Sequence, residues 1–217
     1  MMMTGSVLHD APGPALAIPM NTTFKHIGSR ISQNDTQALK GLYDLLGDKL
    51  LQFAMAIVCS RELAEEVVQD VFIRIWERRH RLHEIDNLKW YLYVITRNIS
   101  VDYLRKHRKR RVVALEEVCL PEYRLVATPE DLMVTAEILD RINQAINNLP
   151  PKCRLIFKLV KEDGLKYREV AGLLNLSVKT VDNQLGIALK KLNASIAPVL
   201  QAQFPAETSS SSGDQRL

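Results

Sequence analysis

The sequence predicts an all-α protein: two small helical domains joined by a flexible acidic linker, the second containing a helix-turn-helix. Three observations carry that expectation. Apolar residues recur at spacings of three and four along most of the chain, and no stretch alternates long enough to make a convincing strand. The composition is 47% hydrophobic but only 6% aromatic, which suits helices built from Leu, Ile, Val and Ala better than a β-sandwich. The charge, a mild net +4, comes in blocks. It is basic from Arg97 to Arg111, acidic from Val112 to Pro151, and basic again from Lys152 to Leu192. Such a pattern fits two modules that face a polyanion, held apart by a spacer.

Each element follows in order. The first residues, with Pro12, Pro14 and Pro19 and no basic region before an apolar run, do not read as a signal peptide. Residues 1–22 are expected to be a disordered extension, with Met1 and Met20 both open as translation starts. Leu39, Leu42, Leu46, Leu50, Phe53 and Ile57 form one stripe on a helix from about Asp35 to Cys59. Ser60 then stands where an N-cap belongs, and a second helix to about Arg79 turns Ala64, Val68, Val71, Phe72 and Ile75 inward. After a polar break from His80 to Asn87, a third helix runs to about Arg108, with Leu88, Leu92, Ile95, Ile99 and Tyr103 (or Asp102) inward. These helices make a first domain over 23–111.

The periodicity lapses over the linker, 112–127, where Pro121 and acidic residues accumulate. Thr128-Pro129-Glu130-Asp131 is a helix start: a capping Thr, Pro at the first position and carboxylates in the first turn. That helix stops at Leu149-Pro150-Pro151, and another runs from Lys152 to Lys161. Tyr167–Leu174 is a short amphipathic helix, and Asn175 tolerates the left-handed conformation that ends one. Ser177 caps a final helix whose expected inner face is Val178, Val181, Leu185, Ala188, Leu189 and Leu192. Short helix, tight turn and second helix make the helix-turn-helix plan, within a second domain over 128–195. A Ser-rich tail, 196–217, reads as disordered.

Three surfaces stand out. On the last helix, Ser177, Lys179, Thr180, Asn183, Gln184 and Ile187 lie on the outer side, with Arg168 near the start of the preceding helix. Asn and Gln match adenine edges, Lys matches guanine or phosphate, and apolar groups meet thymine methyls. The plainer reading is a helical hairpin for protein contact. On the third helix, Lys89, Trp90, Tyr93 and Arg97 lead into the basic run from Arg105 to Arg111. Basic residues interleaved with aromatics suit unpaired bases, unless Trp90 and Tyr93 simply pack inside the domain. On the second helix, Glu66, Gln69, Asp70, Arg74 and Glu77 enclose Ile73, as in a polar-rimmed partner site or an ordinary solvated face.

Little points to catalysis. No H-E-x-x-H, G-x-G-x-x-G, P-loop or G-x-S-x-G pattern occurs, and adjacent acids such as Glu65-Glu66 diverge by about 100° on a helix. Cys59, Cys119 and Cys153 are too few and scattered for a disulfide framework or a C-x-x-C metal site. Apolar stretches are broken by charge before the roughly 18 residues a membrane helix needs. The expectation is a cytoplasmic non-enzyme with no cofactor, no metal and no small-molecule substrate.

The same residues resemble the extracytoplasmic-function (ECF) sigma factors of bacterial RNA polymerase, in the sigma-70 superfamily. The matching segments are the run from Ala64 to Glu77, the run from Leu88 to Arg105, Leu149-Pro-Pro-Lys-Cys-Arg-Leu-Ile-Phe157, and Tyr167–Ala171 through Thr180–Leu185. They occur in family order and spacing over about Thr36 to Leu192. The resemblance implies a promoter-specificity subunit that binds core RNA polymerase, recognises −35 and −10 promoter elements and promotes melting. The Glu66, Gln69, Asp70, Ile73, Arg74 and Glu77 face would dock on the polymerase. His83, Asn87, Lys89, Trp90, Tyr93, Arg97, Asn98, Arg105 and Lys106 would hold the melted −10 strand. Arg168 and Ser177, Lys179, Thr180, Asn183, Gln184 and Ile187 would meet the duplex at −35. An anti-sigma factor is a further implied partner. The sequence departs from the family in having Asp182, Asn183, Gln184, Gly186 and Ile187 where basic residues are common, and Asn175 where Gly is common. Two other classes compete: a stand-alone helix-turn-helix regulator of duplex DNA, and a helical protein-interaction adaptor.

Overall fold

A computed structural model describes residues 20–107 and 136–203, and all the regular structure in them is helical. The order is α1 (Met20–Ser32), α2 (Thr36–Val58), α3 (Arg61–Glu77), a 3₁₀ turn (Arg79–Glu84), α4 (Leu88–His107), α5 (Ala136–Asn147), α6 (Pro151–Phe157), a π turn (Lys158–Glu162), α7 (Tyr167–Leu174) and α8 (Val178–Gln203). The linker 112–127 and the helix start at Thr128 lie outside the described residues.

The first unit, α1–α4, forms where caps and stripes agree. Asp35 accepts from the Ala38 amide at 3.0 Å to start α2, and Ser60 accepts from the Leu63 amide at 3.2 Å to start α3. Cys59 ends α2 in the left-handed conformation (φ 54°), and its sulfur is in a disulfide. Leu42, Leu46, Leu50 and Phe53 of α2 meet Ala64, Val68, Val71 and Ile75 of α3 and Leu88, Leu92, Ile95 and Ile99 of α4 in one buried core. The helix α1 was not expected. It buries Phe24 and Ile31 and passes so close to the 3₁₀ turn that a Cβ on Gly28 would sit 3.3 Å from the Leu82 carbonyl oxygen. With apolar positions spread thinly along it, its stripe is short, and the Met20 boundary falls inside the segment expected to be disordered.

The second unit, α5–α8, carries the expected helix-turn-helix. Asn175 takes φ 53°, the Leu176 amide donates back to the Ala171 carbonyl at 2.9 Å, and Ser177 accepts from the Thr180 amide at 3.0 Å. A small core of Ala145, Ile146, Leu149, Cys153, Ala188 and Leu192 holds α5 and α6 to α8. Two inner positions need correction: Val178 and Leu189 are exposed, because the buried stripe is Val181, Leu185, Ala188 and Leu192 and each lies off its line. Ile196 extends that stripe, and α8 continues to Gln203, past the boundary set for the tail.

The units are not separate. Leu155, Ile156, Leu159, Leu165 and Val170 of the second unit belong to the same apolar cluster as Phe53, Leu88 and Tyr93 of the first. The α6–π turn–α7 segment therefore rests on α2 and the start of α4.

Candidate polymerase and nucleic-acid surfaces

The outward face of α3 is built by the phase of its core stripe. With Ala64, Val67, Val68, Val71 and Ile75 turned in, Glu66, Gln69, Ile73 and Glu77 emerge on the other side. Ile73 is 55% exposed, a large apolar side chain amid charge. Asp70 and Arg74 are half-buried. The Asp70 carboxylate accepts from the Tyr103 hydroxyl of α4 at 2.9 Å. Burial and then that bond push the Tyr103 phenol up to about 12. Asp70 thus ties α3 to α4 as well as facing outward.

Helix α4 divides into two parts. Toward its C-terminal end, Asn98, Arg105 and Lys106 are exposed and Arg97 is half-exposed, and His83 is exposed on the 3₁₀ turn. Arg105 is lightly engaged with Asp102 at 3.4 Å, and the Lys106 ammonium stands 5.8 Å from the Tyr103 ring. The first turns differ from expectation. The Asn87 side-chain oxygen Oδ1 caps the helix by accepting from the Trp90 amide at 3.1 Å, and its Nδ2 donates to the Glu169 carboxylate at 2.7 Å. Lys89 is 7% exposed and donates to the Asp163 carbonyl. Tyr93, read as a ring open to bases, is fully buried against Phe53 with ring centroids 5.4 Å apart. Burial and the charge of Asp163 hold its phenol well above the ordinary value. Trp90 is half-buried, with its indole nitrogen enclosed. The physical reason differs by residue: the second unit meets Asn87 through Glu169 and Lys89 through Asp163, whereas Tyr93 is packed on α2 of its own unit.

On α8, Ser177, Lys179, Asn183 and Ile187 are exposed, Thr180 is half-exposed, and Arg168 is exposed on α7. Gln184 departs from the rest. Its carbonyl oxygen accepts from the buried Cys153 thiol at 2.8 Å, so it faces α6 as much as solvent. Burial pushes that thiol up, which keeps it protonated as the donor.

Sequence reasoning missed Lys49, Asp163 and Glu169, the charged residues at the seam. Lys49 donates to the Glu162 carbonyl at 3.1 Å and pairs with the Asp163 carboxylate at 3.6 Å. The only available signal was Asp163-Gly164, read as a helix end; Gly164 does take φ +66°. Among the described residues no His, Cys, Asp and Glu cluster suits a metal, and no helix is long and apolar enough to cross a membrane.

The described residues thus form an all-helical pair of units, one with a helix-turn-helix and the other with a basic helix beside an exposed charged-apolar face. Residues 42–110 match the family model for sigma-70 region 2, and residues 139–192 match that for sigma-70 region 4. The chain belongs to the sigma-70 family and is a promoter-recognition sigma subunit of the ECF kind. It is 27% identical over 173 residues to the ECF RNA polymerase sigma factor SigW of Bacillus subtilis, covering 76% of this chain and 92% of that one. It is 24% identical over 179 residues to the ECF RNA polymerase sigma-E factor of Escherichia coli, covering 79% and 93%. Among solved structures it is similar to CnrH in complex with the cytosolic domain of CnrY, at 23% identity and a TM-score of 0.45 over 81% of this chain and 97% of that one.

Proposed function

We propose that this sigma subunit works in the cytoplasm without chemistry of its own, each surface holding one part of the initiation complex. The outward face of α3, with Glu66, Gln69, Ile73, Arg74 and Glu77, docks on core RNA polymerase. The basic C-terminal half of α4, with Arg97, Asn98, Arg105 and Lys106, holds the backbone of the melted −10 strand, with His83 beside it. Asn87, Lys89 and Trp90 join it once uncovered. Lys179, Thr180 and Asn183 of α8 meet base edges and phosphates of the −35 duplex, with Arg168 on the backbone. An anti-sigma factor completes the partners that the family resemblance implies.

The observation that carries this reading is the exposed Ile73 in its charged ring. An apolar side chain of that size left in solvent at the centre of a polar rim has the make-up of an interface hot spot. The test is binding of the purified chain to bacterial core RNA polymerase, with Ile73→Asp and Glu66→Arg variants. Ile73→Asp is expected to lose about thirtyfold in affinity, a hot-spot loss of about 2 kcal/mol. Asp70→Arg is a poorer probe, since it also removes the acceptor of Tyr103. Unchanged binding by both variants would detach α3 from the polymerase and leave the first unit needing another partner.

A further inference from the structure

We infer that Gly186 and Asp182 of α8 form a base-reading notch. The missing side chain at Gly186 lets the helix come close to the floor of the major groove, and the Asp182 carboxylate there accepts a hydrogen bond from the exocyclic amino group of a cytosine. The inference rests on the −35 reading of α8 just given and names the base that this part of the helix selects.

Gly186 stands in the interior of α8, on its exposed side. A Cβ at this position would meet nothing within 4 Å, so the fold has no packing use for the absent side chain. Glycine inside a helix costs stability that alanine would restore, which leaves the demand for space outside the fold. Open space alone assigns no partner, since Gly41 of α2 has it as well. What sets Gly186 apart is its surroundings. Asp182 and Asn183 stand one helical turn before it and Lys190 one turn after, with Ile187 next in the chain and Lys179 a further turn toward the start of the helix, and all are exposed. Val181, Leu185 and Ala188 are buried, and they fix the rotation of α8 that turns this group outward.

The charge of the group decides what enters the notch. The Asp182 carboxylate takes part in no ion pair or hydrogen bond among the described residues. A phosphate brought up to Gly186 would lie beside that carboxylate and be repelled. Lys179 and Lys190, at the two ends of the group, suit phosphates, which leaves a base edge for the space between them. A carboxylate only accepts hydrogen bonds, so it rejects guanine and thymine, which present acceptors in the major groove. Adenine has an amino donor but sets its N7 acceptor beside it. Cytosine presents the amino donor alone and is the better match. The pair thus gives α8 a choice of base in place of a sequence-blind grip on phosphate.

The test is selection and sequencing from DNA duplexes with a randomised window, using the full chain, beside a melting curve for each variant. Gly186→Ala should raise the melting midpoint by about 2–4 °C, as alanine does in place of glycine in an exposed helix, and yet weaken binding to the duplex the parent selects about tenfold. Gly41→Ala, with the same open space but away from α8, should raise the midpoint by a similar amount and leave duplex binding unchanged. Asp182→Ala should lose a preference of about tenfold for cytosine at one position of the selected motif. It should also bind more tightly to duplexes that lack that base, because a charge of the same sign as the phosphates is gone. A Gly186→Ala chain that binds as tightly as the parent overturns the notch, and an unchanged motif with Asp182→Ala overturns the cytosine contact. Lys179→Ala and Asn183→Ala separate the two layers of argument. If they lose affinity while Gly186→Ala and Asp182→Ala do not, the inference alone falls. If none of the four changes affinity or motif, or the parent selects no motif, the −35 reading of α8 falls with it.

Discussion

Helices α8 and α4 were both expected to present a nucleic-acid face, and the structure treats them differently. The outer side of α8 keeps Lys179 and Asn183 in solvent, with nothing of the first unit over them. The start of α4 has Asn87 bonded across the seam and Lys89 and Tyr93 buried. On the proposed reading the contrast separates two kinds of site. A duplex reader needs only a rigid helix that fits a groove, so it can stand open. At the start of α4 the second unit instead places the Asp163 carbonyl on Lys89 and the Glu169 carboxylate on Asn87, with Leu165 and Val170 in the same apolar cluster as Leu88.

The comparison breaks most visibly at Tyr93. A ring waiting for an unpaired base would cost little stability to remove. A ring packed on Phe53 inside the core, as Tyr93 is, should cost about 3–5 kcal/mol on Tyr93→Ala. Urea unfolding of the full chain measures it as a lower midpoint with the slope preserved. A midpoint unmoved by Tyr93→Ala would put the ring back on the binding face.

Asn183 and Gln184 sharpen the same contrast within α8. Asn183→Ala should relax base preference at one position of the −35 duplex by about 1–3 kcal/mol and leave stability almost unchanged, because the side chain is exposed. Gln184→Ala should act mainly on stability, since its carbonyl is the acceptor of the buried Cys153 thiol. Affinities for a panel of duplexes changed one base pair at a time, beside a melting curve, distinguish the two. If Gln184→Ala shifted preference and left melting alone, the Cys153 contact would be incidental.

The caps and stripes inside each unit were legible because they are local. Asp35, Ser60, Asn175 and Ser177 do what their chemistry at those positions dictates. Apolar spacing also put Leu42, Val71, Leu92 and Val181 inside. What escaped was everything set by a second neighbour. A three-four stripe gives one buried face, so a helix packed on two sides, like α4, is read with half its burial missing. Lys89 and Asp163 were invisible for a further reason: a buried Lys and a buried Asp look in sequence like any surface charges, and only the fold brings residues 74 positions apart together. The short helix α1 escaped for want of a long stripe.

The finest test of the contrast is pH. At the seam Asp163 holds its proton more tightly than a free carboxyl, so its help to the packing of the two units is full below the ordinary 3.8 and is lost as pH rises through the raised value. Lys89 runs the other way: its help is full above 10.5 and is lost as pH falls through the lowered value. Lys158 follows Lys89, lowered by burial and by Arg154 against Glu162 and Asp163. Raising the pH toward about 9.5 moves Lys89 and Lys158 toward their neutral forms in the packed seam before it does so for free lysines, and so favours packing of the two units. The chain should become slightly more compact, read as a smaller radius of gyration by small-angle X-ray scattering. A chain that expanded instead as pH rose would show that attraction across the seam outweighs the burial of its charges.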